Sequence, residues 1–164
     1  MKKLFLILLA FSLTACQAQV PTASQKNSNV NASSYDETLA IELGADEYGM
    51  RQYVMVILET GPNDASITDP DTRAEIFKGH FENISALADS GQLVLAGPFI
   101  DPDKIKRGLY IFDVKTVKEA EALVLKDPAV EAGIFKPEFT PYYGSAALKT
   151  VNDIHKTISK ESPG

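Results

Sequence analysis

Between residues 51 and 143 the sequence predicts an α+β fold, with two helices on one face of an antiparallel sheet. Three observations carry this. Four short runs are rich in β-branched and aromatic residues. Two further stretches repeat apolar residues at helical spacing, each behind a capping signal. Their order along the chain is β-α-β-β-α-β, the ferredoxin-like split βαβ arrangement.

Arg51 to Thr60 (RQYVMVILET) is nearly all apolar and reads as a strand buried on both faces. Gly61-Pro62-Asn63-Asp64 ends it with turn residues. Asp69-Pro70 starts a helix, with an N-cap side chain and proline at the first helical position. Phe77, Phe81, Ile84 and Leu87-Ala88 recur on one side of it, and Ser90-Gly91 stops it. Gln92 to Phe99 and Arg107 to Val114 form the second and third strands, joined closely enough for a hairpin. Thr116 and Glu119 have the spacing of a capping box and open the second helix, which carries Val117, Ala120, Leu123 and Val124 on one face. Asp127-Pro128 interrupts that helix. Ile134 to Tyr143 (IFKPEFTPYY) is the fourth strand. Its two prolines cannot donate ladder hydrogen bonds, which assigns it to an edge. Strand one is apolar on both sides while the helices cover one, so a second subunit is expected on the other.

Four segments follow: a signal peptide over residues 1–15, a tether over 16–47, the folded domain over 48–148, and a tail over 149–164. Lys2-Lys3 precede an apolar run from Leu4 to Leu13, which is shorter than the ~20 residues needed to span a bilayer. Leu13-Thr14-Ala15-Cys16 resembles a lipoprotein cleavage box. That resemblance implies lipid on the Cys16 sulfur, export, and anchoring in the cell envelope. Gln17 after the cysteine, by the same resemblance, favours the outer membrane. The tether QAQVPTASQKNSNVNASS is polar and lacks aromatics. Tyr35 to Met50 is transitional, with Leu39, Ile41 and Leu43 able to dock on the domain or form a short helix. Val151, Ile154 and Ile158 give the tail weak helical spacing.

Composition narrows the function. Cys16 is the only cysteine, so lipidation leaves no thiol for catalysis, metal binding or redox work. Removing the signal takes away two lysines and no acid, moving the formal charge from −6 to −8. Nucleic acid is an unsuitable partner for such a chain. Histidines at 80 and 155 with no thiols make no metal site. No phosphate loop or nucleophile elbow is present.

The strand YVMVILETGP, the helix containing Gly79-His80, the run SGQLVLAGPF, the glycine-led strand RGLYIFDV, the helix TVKEAEAL, Asp127-Pro128 and AGIFKPEFTPYY together resemble the YCII-related family over Tyr53 to Leu148. The resemblance implies a dimeric α+β barrel with a cleft beside the sheet. It also implies a histidine–aspartate acid/base pair, carried here by His80 and Asp127. One relative in the family is a dehydrochlorinase acting on a chlorinated hydroxyhydroquinone, and the wider superfamily includes muconolactone isomerases.

Read from the residues, His80 lies about 60° around the helix from Phe77, at the margin of the apolar stripe. An imidazole there is desolvated yet open to a cleft. An aspartate accepting its Nδ1–H would leave Nε2 as a base. The bland alternative is a core histidine bonded to a backbone carbonyl, with Asp127 capping a turn. Phe99, Tyr110, Phe135 and Tyr142 are candidates for lining an aromatic-ligand pocket or for core positions in their strands, and Arg107 for a carboxylate binder or an exposed strand end. His155 reads as solvated surface. Two functions remain open beside a third reading, haem binding through His80 in the cleft. One is cofactor-free acid/base elimination or isomerisation of a small cyclic or phenolic molecule. In that case His80→Ala abolishes activity and spares folding. The other is a non-catalytic envelope module binding a small ligand or a protein.

Overall fold

The computed structural model describes residues 35–100, 103 and 105–161. The signal segment, Cys16 and the tether as far as residue 34 lie outside the described residues.

The elements run α1 (Glu37–Leu43), β1 (Met50–Thr60), α2 (Pro70–Asp89), β2 (Leu93–Pro98), β3 (Lys106–Phe112), α3 (Val117–Val124), α4 (Pro128–Glu131), β4 (Phe135–Ser145), a 3-10 turn (Ala146–Thr150) and α5 (Val151–Ile158). The four strands pair antiparallel in the order β2-β3-β1-β4. This is the ferredoxin-like α+β fold, with β1 and β3 central. Pro137 and Pro141 sit on the edge strand β4, opposite Leu58 and Val54 of β1. There a missing amide faces away from the ladder.

Alternation along the strands builds the core. Val54, Val56 and Leu58 of β1 and Tyr110 and Phe112 of β3 point towards the helices. They meet Leu87 of α2, Ala120 and Val124 of α3, and Ala129 and Val130 of α4. Thr116 and Glu119 close the expected capping box at α3, a device worth about 1 kcal/mol. Asp69 caps α2 with its carboxylate on the Thr72 amide at 2.8 Å.

The transitional stretch from Tyr35 takes the short-helix alternative weighed for it. Within residues 16–47, α1 forms because Asp36 caps it and Gly44, at φ 66°, ends it in the left-handed conformation. The Leu43 carbonyl then accepts from Arg51 Nη1 at 2.6 Å, tying α1 to β1.

The sheet face away from α2 and α3 carries Tyr53, Val94 and Ile111, all buried, with Leu148 of the 3-10 turn packed on them. Part of the cover expected from a second subunit thus comes from the chain's own 3-10 turn after β4. The tail docks by more than weak periodicity: Asn152 Nδ2 donates to the Leu93 carbonyl at 2.7 Å, and Lys156 pairs with Asp89 at 3.0 Å.

Candidate active site

Helix α2 is long enough to pass over the sheet and bring His80, eleven residues from its N-cap, above β3. The helix α4 starts on the other side of that point. Gly79 allows the approach: a Cβ there would lie 2.9 Å from Pro128 Cγ. Asp127, the N-cap of α4, therefore stands beside His80.

The contact is close and buried. His80 Nδ1 lies 2.9 Å from Asp127 Oδ1 and 2.8 Å from Oδ2. His80 is 6% exposed and Asp127 0%. A carboxylate so buried is costly unless its oxygens are satisfied. Two further donors do this: Tyr110 Oη bonds Oδ2 at 3.1 Å and the Ala129 amide bonds Oδ1 at 2.9 Å. Burial first, then the charge and hydrogen bond of Asp127, hold the Tyr110 phenol far above its ordinary value. Tyr110 is therefore a permanent donor. With the carboxylate as acceptor, the proton of a neutral His80 ring is assigned to Nδ1 and the lone pair to Nε2.

Aromatic rings fix the imidazole. Phe135, Phe81, Phe77 and Tyr110 surround it, with centroids 5.3, 5.4, 5.9 and 6.3 Å away. Nε2 takes no protein partner among the described residues and is not sealed by packing. His80 lines a cavity of about 620 Å³ at the end of the sheet where β2 stops and β3 begins. That volume falls within the range of small-molecule sites. Leu58, Phe77, Phe81, Ile84, Phe99 and Phe135 give it a mainly apolar wall.

The sequence-predicted residues come together here. Phe99, Arg107 and Tyr110 all line the same cavity as His80, with Asp127 directly behind the ring. Arg107 is neither an exposed strand end nor an uncommitted carboxylate binder. Its Nη1 pairs with Asp64 Oδ2 at 3.1 Å, and its guanidinium lies 5.4 Å from the Phe135 centroid. Asp64 also pairs with Arg73 at 2.8 Å. The Arg73 hydrogen bond, with the charge of Arg107 acting the same way, holds its carboxyl below the usual range. His155 is exposed, as expected, and also lines this cavity.

Sequence reasoning missed three things. Tyr110 was placed as pocket lining, and its bond to Asp127 joins residues with no local relation in sequence. Asp64 looked like a turn residue. The aromatic ring around His80 combines helix periodicity at Phe77 and Phe81 with a β4 residue, Phe135, and only the register of the sheet unites them. Among the described residues, no group of three or more His, Cys, Asp or Glu side chains is placed to hold a metal ion.

A model of the YCII-related domain matches residues 52–137, just over half of the chain. No curated protein is found to match. Among solved structures the chain is similar to the 5-chloro-2-hydroxyhydroquinone dehydrochlorinase of Burkholderia phenoliruptrix AC1100, in complex with 2,5-dihydroxybenzoquinone. The identity is 15%, the TM-score 0.38, and the match covers 56% of this chain and 89% of that one. So distant a likeness brings no substrate with it.

Proposed function

We propose that this chain, which belongs to the YCII-related domain family, is a cofactor-free acid/base catalyst. It abstracts a proton from a small cyclic or phenolic molecule, leading to elimination or isomerisation. The observation that carries the reading is the buried His80–Asp127–Tyr110 cluster, whose histidine lines a mainly apolar cavity and has no partner for Nε2 among the described residues. A structural histidine would have both ring nitrogens satisfied or sealed.

The roles follow from position. His80 Nε2 takes the proton from a carbon held against Phe77, Phe81 and Phe135. Asp127 holds the ring in the tautomer that leaves Nε2 bare and stabilises the imidazolium that forms. Tyr110 keeps Asp127 in place by donating to it. The apolar wall excludes water and strengthens the imidazolium–carboxylate attraction. The proton then returns to a neighbouring atom of the substrate in isomerisation. In elimination it leaves to solvent as the leaving group departs.

The test is proton exchange with solvent. Cyclic ketones, lactones and hydroxylated rings are incubated with the protein in D₂O, and C–H to C–D exchange is followed by NMR. His80→Gln is the control of choice. His80→Ala, expected from the sequence to spare folding, would leave a buried carboxylate without its main partner, at about 3–5 kcal/mol. The glutamine amide can still donate to Asp127 but offers no base. Exchange in the wild type that drops about 10²–10⁴-fold in His80→Gln, with the melting temperature kept, is the expected result. Equal exchange in both proteins would defeat the proposal.

A further inference from the structure

The cavity is basic, although the chain is acidic. The protein has 22 acidic and 16 basic residues, yet among the described residues every charged or chargeable one lining the cavity is a base or a phenol: His80, Lys106, Arg107, His155 and Tyr110. Two carboxylates lie behind this wall. Asp127 is fully buried behind His80, and Asp64 is shared between Arg73 and Arg107, leaving that cluster one cation in excess.

His155 differs from the other bases. Its ring takes no protein partner among the described residues, whereas Arg107 is committed to Asp64 and Phe135. It also lies on α5, beyond residue 137 where the family match ends. Helix α5 is fixed on the domain at two points, Asn152 on the Leu93 carbonyl and Lys156 on Asp89, and these residues line a second groove together with His155. These hold His155 at the mouth. Beside it the rings of Phe81 and Phe99 are 38% and 39% exposed, flat apolar surfaces left open at the same entrance.

From this arrangement we infer that the cavity takes an anionic ring compound, an aryl or cyclic carboxylate, and that His155 on α5 is the residue that receives the carboxylate. The ring enters between Phe81 and Phe99 towards His80. The charged end stays at the mouth, where imidazole N–H and the surplus cation of the Arg107 cluster face it. The inference shares its cavity with the proposed base but not its chemistry. A binding measurement therefore separates the two: loss of proton exchange with binding intact would remove the base and leave this assignment standing.

Benzoate and its neutral isostere benzamide are the probes, titrated into the full chain by calorimetry with NMR detection of cavity side chains. Variants are His155→Ala and, as an α5 control away from the cavity, Thr157→Ala. Benzoate is expected to bind about tenfold more tightly than benzamide. His155→Ala should erase most of that difference while leaving benzamide affinity and the melting temperature unchanged, and Thr157→Ala should change neither. Equal affinity for the two probes would overturn the inference. So would an equal loss for both in His155→Ala, which would make His155 a packing residue. So would the absence of any benzoate-induced shift in the cavity at millimolar concentration.

Discussion

The Asp127 carboxylate receives hydrogen bonds from the His80 ring, the Tyr110 hydroxyl and the Ala129 amide. It thus caps α4 and holds His80 at the same time. The sequence offered these as alternatives, and Asp-Pro as a turn opener could not distinguish them. The capping half was legible because it is local. The His80 half was less legible from the residues, because it joins positions 47 apart in the chain. Helix packing allowed it, and the resemblance pointed to it. Tyr110 was legible only as an aromatic in a strand. Its role has a consequence at alkaline pH. Burial raises Tyr53 to about 12, and burial with Asp127 raises Tyr110 further. Both are acids whose folded values are raised. Their contribution to stability is complete below the ordinary phenol value near 10 and is lost as pH rises through and beyond it, because the unfolded chain ionises first. The unfolding free energy measured in urea should therefore fall between about pH 10 and about pH 12. Tyr110→Phe should fall less steeply.

Among the elements, α2 and α4 set the site. Their approach depends on Gly79, whose missing Cβ leaves room for the Pro128 ring. In an isolated helix, alanine for glycine would gain about 1 kcal/mol. Here Gly79→Ala should destabilise, since the pyrrolidine ring cannot swing away and overpacking costs about 1–3 kcal/mol. A lowered urea midpoint is the expected outcome, and a raised one would show that the helices can part freely. The glycine next to the histidine was visible in the sequence, but not its reason, because Pro128 approaches from another element. Signals that act within a few residues predicted the elements well: the Asp69 and Thr116 caps, the Ser90-Gly91 stop, and the prolines that put β4 on an edge. Strand ends shifted by one or two residues and a short α4 follows the Asp127-Pro128 break, while the stretch before β1 formed α1. It stands on Asp36, Gly44 and a bond from Arg51, and the last of these is a tertiary contact.

At the scale of the molecule, element order was enough to give the sheet topology. The cover of the second sheet face was less legible. Tyr53, Val94 and Ile111 are covered by Leu148, while Met55, Ile57, Leu95 and Leu109 remain half-buried on the same face. The ladder places Ile57 beside Leu109 and Met55 beside Ile111, so these form a continuous apolar row. A second copy over that row remains our proposal. Light scattering after gel filtration should give twice the chain mass, reduced to one chain by Ile57→Lys. A monomeric wild type would contradict it. Export and lipid anchoring are proposals from the sequence of residues 1–16, which lie outside the described residues.

The central claim is that Asp127 holds His80 with a bare Nε2 facing the cavity. The most direct measurement is the tautomer of His80, read from ¹⁵N chemical shifts and long-range ¹H–¹⁵N couplings at a pH where the ring is neutral. The account predicts the proton on Nδ1 and a lone pair on Nε2, with the assignment disturbed in Asp127→Asn. A proton resident on Nε2, with Nδ1 bare, would contradict it.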